Sequence, residues 1–99
     1  MNVTRSIVID APLDKVWQTA AYDFDKIGAW ASLVSVSDVA EGEPSSAEME
    51  MAGRVCQTPF GKSYEMFRSY DEAGHTFSYA AQVEKSPPGL KDGDNTWTV

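Results

Sequence analysis

The sequence predicts an α+β domain in which two short N-terminal helices are set against a curved antiparallel sheet. Three observations predict it. An alternating run at 3–10 passes directly into a helical apolar stripe at 13–21. Everything after Trp30 reads as short alternating runs separated by Gly-, Pro- and Asp-containing turns. The 99 residues, 42% apolar and 11% aromatic, make one small domain (1–99) able to bury a core.

In the first run Val3, Arg5, Ile7 and Ile9 take one face, and Thr4, Ser6, Val8 and Asp10 the other. That alternation predicts a half-buried strand over 3–10. Pro12 suits the first turn of a helix, where its missing N–H costs nothing. Leu13, Val16, Trp17, Ala20 and Ala21 recur at i, i+3, i+4, i+7 and i+8, which predicts a helix near 12–21. Asp23 can cap a second short helix near 24–28, with Gly28 ending it.

The remaining elements are strands. "LVSVSDV" alternates over 33–39 and is followed by the polar loop "AEGEPSSAE". A strand at 49–58 leads into "PFG", a type I turn signature. Strands at 62–70 and 75–84 are separated by "DEAG", and "NTWTV" starts another at 95–99 after the turn "KSPPGLKDGD". The order is β-α-α followed by at least five antiparallel strands in a meander.

Composition excludes several functions. The net charge is −7 at pH 7, and the eight Lys and Arg are scattered rather than clustered, which argues against nucleic acid and anionic membranes as partners. One cysteine, Cys56, and one histidine, His75, supply neither a disulfide nor a zinc-type cluster, so no metal or cofactor is expected. No run approaches the roughly 18 apolar residues of a membrane span, and the N-terminus lacks the apolar core of a signal peptide. No membrane insertion and a cytoplasmic location are the resulting expectations.

The stretches "I-x-A-P-x-x-x-V-W" (Ile9 to Trp17), "DFDKIGAW", "GRVCQTPFGKSYEMFRSYD" and "TFSYA" occur in an order that resembles the helix-grip superfamily. Its members include polyketide cyclase/dehydrase-like proteins, START lipid-transfer domains, birch-pollen-allergen-like proteins and the plant abscisic acid receptors. The resemblance implies helices bracing one end of a bent sheet, with a long C-terminal helix across the concave face and a hydrophobic cavity between them. Family members continue into a seventh strand and that helix, so the resemblance also implies a C-terminally incomplete copy. Alternatively a second copy covers the concave face as a homodimer. In either case the aromatic floor is expected to face water in an isolated chain.

Carrying the family's strand phase over places Leu33, Ser35 and Ser37 on the concave side. Arg54, Cys56 and Thr58 follow, then Ser63, Glu65 and Phe67, then Phe77, Tyr79 and Ala81, and finally Trp97. Hydrophobicity alone leaves the opposite phase of 62–70 open, because Tyr64, Met66 and Tyr70 look equally buried. With Pro59 and Phe60 at a hairpin tip, Arg54 lies opposite Glu65 and can form a charge-assisted pair. That pair is either a structural ion pair fixing register or a polar handle for a ligand. His75 reads as a solvated strand-end residue, Cys56 as a small buried filler, and Trp17 and Trp30 as core anchors. Glu41, Glu43, Glu48 and Glu50 read as a solvated face.

The leading reading is therefore a binding or carrier protein for a small, largely apolar molecule, contacted by Ser35, Arg54, Glu65, Phe67, Phe77, Tyr79 and Trp97. An aromatase/cyclase-type enzyme is the alternative, with Glu65 or Tyr79 moving protons and Arg54 polarising a carbonyl. A protein-interaction module without a ligand is the third.

Overall fold

The computed structural model describes residues 3–44, 48–84 and 92–99. Its sheet has five antiparallel strands in simple sequence order: β1 (Val36–Val39), β2 (Gly53–Thr58), β3 (Gly61–Asp71), β4 (Thr76–Val83) and β5 (Asp92–Thr98). Ahead of the sheet lie α1 (Leu13–Trp17), a π-helical turn that extends it (Gln18–Tyr22), and a 3-10 helix (Phe24–Ala29). This is the α+β arrangement that the alternation and the apolar stripe predict.

The helices form where the sequence places them. Pro12 caps α1 with an extended backbone (ψ 144°), and its carbonyl accepts from the amides of Lys15 and Val16. The stripe buries Trp17, Ala20 and Ala21, and the 3-10 helix adds Phe24 and Ile27. Ser37 ties that helix to β1: its hydroxyl donates to the Asp25 carbonyl (2.6 Å) and accepts from the Gly28 amide (2.8 Å). Gly28 thus sits inside the helix, which runs on to Ala29, rather than ending it.

The β2–β3 hairpin turns through Pro59 and Phe60, with Thr58 paired to Gly61. Gly61 takes φ +93°, a conformation that favours glycine. The tight turn fixes the register, so Arg54 pairs with Glu65. The two open phases of β3 are both used. The ladder to β4 shifts between Phe67 and Ser69, and this bulge flips the facing of the strand. Phe67 before the bulge and Tyr70 after it therefore pack on the same aromatic cluster, 5.5 Å apart.

Three expectations need correction. Residues 3–10 form no strand: all eight are exposed and none joins the sheet. Alternation gives a segment two faces, but a strand also requires a neighbouring ladder, and neither edge strand, β1 or β5, reaches this segment. Trp30 is not a core anchor; it is 50% exposed. The aromatic floor does not face water either. Phe77 is 1% exposed and Tyr79 7%, because Trp17 and Phe24 of the N-terminal helices cover them. Only Trp97 of that floor remains substantially open, at 40%.

Strands β1 and β2 begin later than the alternation suggests, since a turn from Ala31 to Val34 occupies the start of the first run. The expected turn after Lys85 lies largely outside the described residues.

Candidate functional site

The register of β2 and β3 brings Arg54 and Glu65 together on the concave face. Arg54 Nε donates to Glu65 Oε1 at 2.6 Å, and Arg54 Nη1 donates to the Phe24 carbonyl at 3.0 Å. The second carboxylate oxygen of Glu65 accepts from the Ser63 hydroxyl at 2.8 Å. The guanidinium lies 3.8 Å from the centre of the Phe24 ring and 5.1 Å from that of Tyr79. Arg54 is only 3% exposed, so a bare charge there would be prohibitive. The carboxylate, the helix carbonyl and two ring faces together compensate it.

Ring contacts extend this centre. Phe24 packs on Phe67 (4.2 Å between centroids), on Tyr79 (5.3 Å) and edge-on to Phe77 (5.9 Å). Phe77 in turn stacks with Trp97, its β5 ladder partner, at 6.1 Å and 12°. Six of the seven residues that the sequence singles out, Arg54, Glu65, Phe67, Phe77, Tyr79 and Trp97, thus form one connected group. Ser35 does not join them. It lies on the exposed turn before β1, its hydroxyl reaching the Gln57 carbonyl at 3.5 Å.

Burial sets the proton affinities. The Cys56 thiol, fully buried, is pushed up to about 11 by burial and then by the Glu65 charge, against a lowering influence of Arg54. It is a neutral filler, with its sulfur 3.9 Å from Glu65 Oε1. Burial likewise raises the Tyr79 phenol, with Arg54 opposing and Glu65 reinforcing the shift. His75 takes φ +50° at the start of β4, and its ring meets Trp17 edge-on at 5.2 Å. Among the described residues, no group of three or more His, Cys, Asp or Glu could hold a metal ion.

Space is distributed unevenly. Beside Arg54, Phe24, Phe77 and Tyr79 there is about 10 Å³, around the size that admits one water. A separate open groove of about 250 Å³ lies between α1 and Trp97. Ile9, Ala11, Val16, Ala20, Trp30 and Trp97 line it, with Lys15 and Thr19 as its polar members, so its wall is mostly apolar. Trp97, Trp30 and Ala20 border both spaces, which makes the groove the outer storey above the ion-pair centre.

Sequence reasoning missed the helix wall of this groove. Val16 and Ala20 carry the same periodic signal as Trp17 and Ala21, and nothing in a stripe tells which flank remains uncovered. Trp30 offered a signal: a large ring beyond the last helical stripe position.

The geometry is that of an aromatic-lined sheet braced by short helices, and a family model confirms the kinship. The model for polyketide cyclase / dehydrase and lipid transport matches residues 1–99. The chain belongs to this family. No curated protein and no solved structure matches it. Membership in a family of this description associates the chain with hydrophobic small molecules. No helix among the described residues is long and apolar enough to cross a membrane.

Proposed function

We propose that the protein binds and carries a small, largely apolar molecule. The observation that carries this reading is the apolar groove of about 250 Å³ between α1 and Trp97, just below the roughly 300–1,000 Å³ common for ligand sites. In this reading Trp97 touches the ligand directly, and Trp30, Val16 and Ala20 form the opposite wall. Phe77 stacks behind Trp97, while Phe67, Tyr79, Arg54 and Glu65 hold the floor rigid from beneath. Ser35 contributes no contact to this groove. The reading includes a cytoplasmic location.

The cyclase-type alternative finds less support. Both oxygens of Glu65 already accept, Arg54 is engaged with Glu65 and Phe24, and the adjoining space holds about one water. A second copy of the chain stays in the reading as a partner. With the floor buried, it would meet the molecule at the Trp97 edge.

Titration with 1-anilinonaphthalene-8-sulfonate, followed by its fluorescence and by tryptophan quenching, tests the reading. One saturable site per chain is expected, with Trp97→Ala weakening it at least about tenfold, or ~1.4 kcal/mol. Absence of saturation, or full affinity in both Trp97→Ala and Val16→Asp, would overturn it.

A further inference from the structure

The 3-10 helix Phe24–Ala29 is held to the sheet in a different way from the strands. Among the described residues, no backbone–backbone hydrogen bond joins it to a strand. Side chains fasten it instead. Ser37 holds the Asp25 carbonyl and the Gly28 amide, and Arg54 Nη1 holds the Phe24 carbonyl. Phe24 and Ile27 are its buried anchors, while Lys26, Ala29 and the adjoining Trp30 face solvent.

Its backbone is irregular at both ends and in the middle. A π-helical turn precedes it, and Asp23 leaves helical geometry at φ −91° and ψ 36°. Lys26 does so at φ −100° and ψ 19°, and Trp30 at φ −136° and ψ −21°. Few main-chain bonds must break for a chain to bend at such positions.

We propose that residues 24–29 form a strap that opens as one unit, hinged at Asp23 and Trp30, while the sheet beneath it stays folded. This goes beyond ligand binding and holds whether or not the apolar groove is filled.

The electrostatics under the strap make the open form attainable. When it lifts, Arg54 loses the Phe24 carbonyl and ring but keeps Glu65 at 2.6 Å, and Glu65 keeps the Ser63 hydroxyl at 2.8 Å. No charge is left bare, so the step avoids the penalty that normally keeps a buried ion covered. Its cost is the exposure of two apolar side chains and the loss of the bonds from Ser37 and Arg54. Opening the sheet costs far more, because β2, β3 and β4 each have a backbone ladder on both sides. Opening of the strap therefore lies below global unfolding. α1 stays in place, since Trp17 packs on Phe77 (5.8 Å between centroids) independently of the strap. The closed strap seals a defined surface. The Phe24 ring covers the Arg54 guanidinium at 3.8 Å, Phe67 at 4.2 Å and Tyr79 at 5.3 Å, so lifting it uncovers one cation bordered by aromatic faces.

Native-state amide hydrogen exchange of the full chain, in urea below the unfolding transition, tests the proposal. The amides to read are Lys26, Trp30 and Ala31, bonded to the carbonyls of Asp23 and Ile27, against the ladder amides of β3 and β4. After correction for intrinsic rates, the three should exchange at least about tenfold faster than the ladder, with one shared opening constant. Their urea slope should be the smaller, because less surface is exposed. Ser37→Ala weakens only the closed form and should speed all three by a common factor of at least about five. Val55 lies between Arg54 and Cys56 on β2 and faces the opposite side of the sheet. Val55→Ala weakens closed and open forms alike, so it should speed the ladder and leave the three amides unchanged. Exchange of the three with the constant and slope of the ladder would overturn the strap. Unequal constants among them would show fraying residue by residue and overturn it too, as would equal acceleration of strap and ladder by Val55→Ala. If Ser37→Ala does not fold, the urea series on the parent chain decides alone.

Discussion

Around Phe24, charged and apolar groups are both buried and both matched, whereas along residues 3–10 and at Trp97 apolar side chains are exposed. The two regions draw on similar residue types. Both contain alternating β-branched and aromatic side chains, and each contains an arginine. They differ in what lies next to them. Arg54 stands on a strand with neighbours on both sides and a helix above, so its charge meets Glu65, the Phe24 carbonyl and two rings. Among the described residues, Arg5 stands on a segment that joins no strand, and its side chain reaches the Thr4 carbonyl at 3.4 Å. Composition alone did not settle which region would close; the supply of adjacent backbone and side chains did.

The largest break in that contrast should come from splitting the ion pair. Arg54→Met strands Glu65 beneath the helix and should cost ~3–5 kcal/mol, as should Glu65→Leu in reverse. The double variant should cost clearly less than the two singles together, measured by urea unfolding in a double-mutant cycle. Simple additivity would show that the two charges are not coupled.

Next in size is a direct comparison of apolar truncations. Phe24→Ala removes a ring that is 1% exposed and touches Phe67, Phe77 and Tyr79, so a loss of ~3–5 kcal/mol is expected. Leu33→Ala, at a residue 65% exposed, should stay within ~0.5 kcal/mol. Comparable losses at the two sites would erase the distinction between them.

A smaller effect is expected at Gly53, which is buried between β1 and β3. A β-carbon there would stand 2.8 Å from the Met66 Cα, too close without movement of backbone. Gly53→Ala should therefore cost ~1–3 kcal/mol and lower the melting temperature. An unchanged melting temperature would mean that β3 can yield at Met66.

The smallest effect concerns pH. Cys56 ionises near 9.0 when unfolded and near 11 when folded, so it holds its proton more tightly in the fold. Its contribution to stability is full below pH 9.0 and is lost as pH rises through about 11. Tyr79 and Tyr70, both raised by burial, act in the same sense. Thermal melts should be flat with respect to these groups up to pH 9 and decline above it. Iodoacetamide at pH 8 should leave the folded thiol unmodified; alkylation at the rate of a free cysteine would contradict its burial.

Much of the fold was legible in the sequence because local chemistry decides it. The alternations of β2 to β4 and the stripe on α1 were readable as patterns. The two-residue turn at Pro59 and Phe60 was enough to place Arg54 opposite Glu65 before any coordinate was known. The candidate site was legible in part. Its floor follows from strand phase, but its groove wall of Val16, Ala20 and Trp30 does not. A helical stripe marks residues that prefer burial and is silent on which of them finds cover.

Tertiary structure alone decided three things. The bulge after Phe67 turned both phases of β3 inward, a displacement that depends on how β4 pairs and not on the β3 sequence. Phe24 and Trp17 closed over Phe77 and Tyr79, so a floor expected to be open became the core. And residues 3–10, whose pattern is that of a strand, found no ladder. Side-chain periodicity is a property of the segment, whereas backbone hydrogen bonds across strands belong to a pair, and only three-dimensional packing supplies the second member.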